Sequence, residues 1–147
     1  MLKGRYGNTS GRPYISGHLT IPALGIDGYI SFLIDTGSDC TVLMPADAAA
    51  LGLDYRSLTV TDDSIGFGGI SRDYLVPAIV IFAEPGKTAH AWQITLRVGA
   101  PKAEHAKTPS IVGRDIINDW CITFDPTSDR LDIEIISSHA QHDLRSK

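Results

Sequence analysis

Phe32-Leu33-Ile34-Asp35-Thr36-Gly37-Ser38-Asp39-Cys40-Thr41-Val42-Leu43 runs from apolar residues through a polar turn and back to apolar residues. Three apolar residues lead into a carboxylate, a hydroxyl, a glycine and a second hydroxyl. Thr-Val-Leu then returns the chain to apolar character. Asp and Gly are common turn residues, so Asp-Thr-Gly alone also fits a plain strand-to-turn junction. The flanks carry the signal, because polar groups appear only where the chain would leave a sheet.

Two further segments belong with it. Ser110-Ile111-Val112-Gly113-Arg114-Asp115-Ile116-Ile117 places two apolar residues and a glycine ahead of a short helix. Between the two lies Ile65-Gly66-Phe67-Gly68-Gly69-Ile70, dense in glycine. A phosphate-binding loop would need Gly-Lys-Ser/Thr and a following helix. Here Ile70-Ser71-Arg72-Asp73 leads into a strand, so a mobile hairpin is the reading.

Elsewhere the dominant period is two. Ile15, Leu19 and Ile21 alternate with Tyr14, His18 and Thr20. Trp92, Ile94, Leu96 and Val98 alternate with Gln93, Thr95 and Arg97, and Leu131, Ile133 and Ile135 alternate with Asp132 and Glu134. These are half-buried strands. Residues 29–34 and 74–82 are more continuously apolar, as central strands are, although Pro77 implies an edge or a bulge. Helix is scarce: Pro45 to Leu51, closed by Gly52, and a second over 114–120. Turns are expected at Asp27-Gly28, Glu84-Pro85-Gly86 and Asp125–Ser128, with a surface loop over 99–110. The chain is a mostly antiparallel β domain that closes on itself.

Composition narrows the class. With 147 residues and 43% hydrophobic content the chain is one domain with a real core. A net charge of −4 supplies no basic face for nucleic acid. No apolar run approaches the ~20 residues of a membrane helix. MLKGRYGNTSGR lacks the apolar stretch of a signal peptide, so the expected compartment is the cytoplasm. Two cysteines are too few for a disulfide framework, and Cys40 and Cys121 are expected as small buried hydrophobes. The five histidines show no metal-ligand spacing, so no metal or cofactor is expected. Trp92 and Trp120 are read as core or interface aromatics, and Asp62-Asp63 as a solvated edge beside the hairpin.

FLIDTGSDCTVL, IGFGGI and SIVGRDII, in that order, resemble the retropepsin-like aspartic proteases, the single-domain relatives of pepsin that include the retroviral proteases. The resemblance implies a closed pepsin-like β-barrel over residues 13–136, with one or two short helices and a glycine-rich flap hairpin. Residues 1–12 and 137–147 are expected as flexible ends. It implies that Asp35 is catalytic, that Thr36, Gly37 and Ser38 form the active-site loop, and that Gly66, Phe67, Gly68 and Gly69 form the flap over an extended peptide substrate. Thr36 would reach across a two-fold axis, and Ser38 would donate a hydrogen bond to Asp35. Asp39 and Arg114 would form an internal structural ion pair. The closing WCITFDPTSDRLDIEI is more similar to the last hairpin of pepsin-type and bacterial members.

The chemistry can be argued from the residues. Hydrolysis of a peptide without metal or nucleophilic side chain needs a water held between a carboxylate and a carboxyl. Two such groups a few ångströms apart share one proton. The sequence holds a single Asp-Thr-Gly. A second Asp35 must then come from another copy, so the expected enzyme is a homodimeric aspartic endopeptidase. The rival is a binding module of the same fold, kept for dimerisation or peptide capture and weak or inactive in catalysis.

Overall fold

The structure, a computed structural model, describes residues 1–66 and 69–145. In chain order the strands are β1 (Leu2–Lys3), β2 (Arg5–Tyr6), β3 (Pro13–Ile21), β4 (Ile26–Ile34) and β5 (Val42–Leu43). Helix α1 (Pro45–Ala50) follows, then β6 (Val60–Gly66), β7 (Gly69–Ala83), β8 (Thr88–Val98) and β9 (Ile111–Val112). Helix α2 (Arg114–Ile117), β10 (Trp120–Asp125), β11 (Arg130–Ile135) and β12 (Ala140–Asp143) complete the chain.

The pairings run in a ring. β8 pairs with β5, β5 with β9, β9 with β4, β4 with β3, β3 with β7, and β7 returns to β8. A separate sheet of three strands has the order β1-β11-β10. The period-two residues of both sheets meet in one core: Ile15, Leu19, Ile21, Leu96, Val98 and Ile133 are buried. Phe82 packs against Phe32, Trp92 and Trp120, with ring centroids 5.0–6.1 Å apart. Trp92 satisfies its one polar group by donating to Asp119 at 2.9 Å. Both tryptophans are therefore core aromatics.

Three local expectations change. Asp27-Gly28 is not a turn but lies inside β4, paired with Thr20 and Leu19. The chain reverses earlier, at Pro22–Gly25, where Gly25 takes a positive φ of 64°. Gly28 serves contact instead, since a Cβ there would lie 2.4 Å from a methyl of Leu51. Pro77 sits in an interior strand, at the point where one edge of β7 passes from β6, whose pairing ends at Leu75, to β3, whose pairing begins at Ile79. A residue without an N–H fits that gap in the ladder. The second helix stops at Ile117 rather than 120.

Both end segments expected to lack order carry strands. Leu2 is buried and pairs with Ile133, and Gly4 donates to Leu131 at 2.8 Å. Ala140–Asp143 pair with Thr88–Ala91. Burying one leucine side chain is worth ~1.5–3 kcal/mol, enough to hold a two-residue strand that propensity alone does not announce. Among the described residues no helix is long and apolar enough to cross a membrane.

Candidate active site

The loop that follows β4 is held at its root by sheet bonds. Leu33 and Ile34 pair in parallel with Ile111 and Val112, and the Asp35 N–H still donates to Val112 at 3.2 Å. Beyond that bond the chain turns: the Ser38 N–H donates to the Asp35 carbonyl at 3.2 Å. The Gly37 N–H donates to Asp35 Oδ1 at 2.9 Å. Asp35 is half-buried, whereas Thr36 and Gly37 are exposed. The chain thus presents the Asp-Thr-Gly tip outward, with one carboxylate oxygen fixed by a backbone donor.

Ser38 does not do what the resemblance implied. Its Oγ donates to the Cys40 carbonyl at 2.7 Å, so its single proton is spent within the turn and not on Asp35. A serine hydroxyl has one O–H to give, and the carbonyl two residues on is the nearer acceptor in a tight turn. The donor to Asp35 is the Gly37 backbone.

Thr41, which sequence reasoning passed over, is the hub of the loop. It is fully buried. Its N–H and Oγ1 donate to the two oxygens of Asp115 at 3.0 and 2.7 Å, and Oγ1 accepts from the Gly113 N–H at 3.2 Å. Asp115 occupies the first turn of α2, a position that suits a carboxylate. That first-turn acid was the signal available in the sequence. Gly113 is required by contact: a Cβ there would sit 2.4 Å from the Cys40 carbonyl oxygen and 2.9 Å from its nitrogen. The apolar-apolar-glycine motif therefore lets α2 lie directly on the Asp35 loop.

Arg114 ties the same two segments from outside. Its N–H donates to the Ser38 carbonyl at 2.9 Å, its Nη1 to the Thr36 carbonyl at 2.7 Å, and its Nη2 pairs with Asp39. The pair is present but not internal: the Asp39 side chain is 88% exposed and that of Arg114 40%. Asp39 projects from the turn, so solvent reaches the charges.

The glycine-rich hairpin is formed by β6 and β7, in register from Val60–Leu75 to Gly66–Gly69. The expected flap residues Gly66 and Gly69 close that ladder. Phe67 and Gly68 lie outside the described residues. Asp62 and Asp63 are exposed, as a solvated edge implies, and each is paired: Asp62 with Arg97 at 2.6 Å and Asp63 with Arg72 at 2.9 Å. Cys40 is half-buried and Cys121 exposed, so neither is the buried hydrophobe expected; alternation on β10 turns Cys121 outward. Among the described residues no three His, Cys, Asp or Glu side chains gather as a metal site.

Beside the loop runs an apolar cleft of about 280 Å³ lined by Pro13, Ile34, Thr36, Ile122, Phe124 and Leu131. Phe124 is 58% exposed, and β10 is an edge strand, paired only with β11 among the described residues.

A family model described as aspartyl protease matches residues 25–79, a span that includes Asp35 and the hairpin. No curated protein matches the chain. The fold is similar to that of a retropepsin-like aspartic protease from Rickettsia conorii. That likeness has 20% identity, a TM-score of 0.59, and covers 89% of this chain and 96% of the other. The EIAV protease complexed with the inhibitor HBY-793 is 22% identical, with a TM-score of 0.49 over 77% of this chain and 91% of that one.

Proposed function

From a retropepsin-like fold with one outward-facing Asp-Thr-Gly, we propose that the chain is an aspartic endopeptidase that works as a homodimer. The observation that carries the reading is the presentation of Asp35. It stands one residue beyond a buried strand, anchored by Val112 and oriented by Gly37, on a loop whose tip is exposed.

Each protomer contributes one carboxyl, and two copies related by a two-fold axis bring the second. Like charges that close cannot both ionise, so the dyad holds one shared proton. The ionised Asp35 takes a proton from a water between the carboxyls as that water attacks the peptide carbonyl. The protonated Asp35 gives its proton to the carbonyl oxygen. As the C–N bond of the tetrahedral species breaks, the first Asp35 passes the water's proton to the leaving nitrogen and the second takes a proton from a hydroxyl, which releases amine and acid and restores the dyad. No metal or covalent intermediate enters this sequence. The β6–β7 hairpin lies over an extended peptide and excludes water. The exposed Phe124 beside Thr36 supports a second copy as the partner, because an aromatic there gains by being covered.

The test is peptide cleavage by wild type and Asp35→Asn. Asn keeps the acceptor for the Gly37 N–H, so the fold is expected to survive while kcat falls by about 10³-fold or more. Cleavage by Asp35→Asn at the wild-type rate would falsify the assignment.

A further inference from the structure

Asp62 of β6 and Asp73 of β7 stand directly opposite each other in the hairpin. Like charges facing across an antiparallel pair push it apart. One guanidinium resolves the conflict. Arg97 of β8, in register with Leu75 of β7, donates from Nη2 to Asp62 at 2.6 Å and from Nη1 to Asp73 at 3.3 Å. Asp73 is buried to 8% exposure and also accepts the Ala100 N–H at 3.3 Å. Burial works against the Arg97 charge. Its hydrogen bonds to Asp62 and Asp73 act the other way, and its pKa lies above the ordinary arginine value.

The backbone of Arg97 reaches the catalytic loop. Its N–H donates to the Thr41 carbonyl at 3.2 Å, and Val42 pairs with it in parallel register. Thr41 is the buried residue that Asp115 holds. A single residue therefore joins both strands of the hairpin, the barrel wall and the exit of the Asp35 loop. The neighbouring Asp63–Arg72 pair joins only the two hairpin strands to each other and is exposed.

We propose that Arg97 is a positioning residue, which sets the hairpin's place relative to the Asp35 loop by bridging the facing carboxylates of Asp62 and Asp73. The consequence for catalysis rests on the protease reading; the anchoring of the hairpin does not. A guanidinium suits the task because its planar fork reaches two acceptors at once, which a lysine ammonium does less well.

The test is hydrogen exchange of hairpin amides in the full chain, carried out on an Asp35→Asn background so that it is independent of cleavage. Arg97→Gln is expected to accelerate exchange in residues 60–66 and 69–75 about tenfold or more, with β3 and β4 unchanged. Adding Asp62→Asn is expected to restore part of the protection, since the facing charge is then gone. In chains with Asp35 intact, Arg97→Gln should raise KM more than it lowers kcat. If Arg97→Gln does not fold, Arg97→Lys takes its place, with exchange between wild type and the expected Gln level. Hairpin exchange unchanged in the folded variant would overturn the role. So would acceleration spread over β3 and β4 and unrelieved by Asp62→Asn. Charge-specific loosening, together with no peptide cleavage by the chain whose Asp35 is intact, would keep Arg97's role and sink the protease reading alone.

Discussion

At Asp35 the protomer supplies what a carboxylate needs in order to be aimed: a sheet bond behind it and the Gly37 N–H on Oδ1. Ser38 belongs to the turn instead, through its bond to the Cys40 carbonyl. Ser38→Ala is therefore expected to cost about 1 kcal/mol of stability. The alkaline limb of kcat/KM against pH should stay where it is. Urea unfolding and a pH–rate profile on one peptide check both halves, and a moved limb would return the hydroxyl to Asp35. The motif was legible in the sequence because apolar residues flank Asp-Thr-Gly on both sides and IGFGGI and SIVGRDII follow it in order. Which acceptor Ser38 takes was not, since Asp35 and the Cys40 carbonyl are both within reach of a serine in such a turn, and only backbone geometry chooses between them. Thr41 was hidden for a related reason: its partner Asp115 is 74 positions away.

Among the elements, α2 shows how little sequence a close contact requires. Gly113 permits the approach to Cys40, Asp115 holds Thr41, and Arg114 caps the outside. Gly113→Ala is expected to destabilise the fold by about 1–3 kcal/mol, because its Cβ meets backbone atoms that have no rotamer to adopt. Thermal melting checks this, and a wild-type midpoint would mean that the loop and helix can move apart freely.

The three-stranded sheet carries a pH dependence. Hydrogen bonds from Arg130 and Lys3 hold the Asp132 carboxyl below its usual range. A depressed folded pKa means stabilisation that is full above the unfolded value and lost as pH falls through the folded one. Wild type is thus expected to exceed Asp132→Asn in urea midpoint at neutral pH, with the gap closing as pH drops below the usual ~4 of a carboxylate. A gap that is constant with pH would assign the effect to packing. Alternation announced β3, β8 and β11, whereas β1, β2, β5, β9 and β12 were not legible: strands of two to four residues show no period. Asp27-Gly28 misled for a physical reason, since a glycine inside a strand, under the side chain of Leu51, has the same letter as one needed for a turn.

For the whole molecule, the ring of strands leaves the Asp35 loop and the Phe124 cleft on one exposed side. A single carboxyl cannot be both base and acid to one water, so the catalytic unit is expected to be two chains. The Arg97 bridge gives each chain its own hairpin setting, and in the proposed dimer the carboxyl pair is completed between the two chains. The measurement that bears on this most directly is activity in mixtures of wild type with Asp35→Asn, co-refolded at concentrations where all chains are paired. With wild type held fixed and an equal amount of Asp35→Asn added, activity is expected to fall to about half, because half of the wild-type chains then sit in dimers with one Asp and one Asn. Activity that stays at the wild-type level whatever the amount of Asp35→Asn added would mean that each chain carries a complete site, and would contradict the shared dyad.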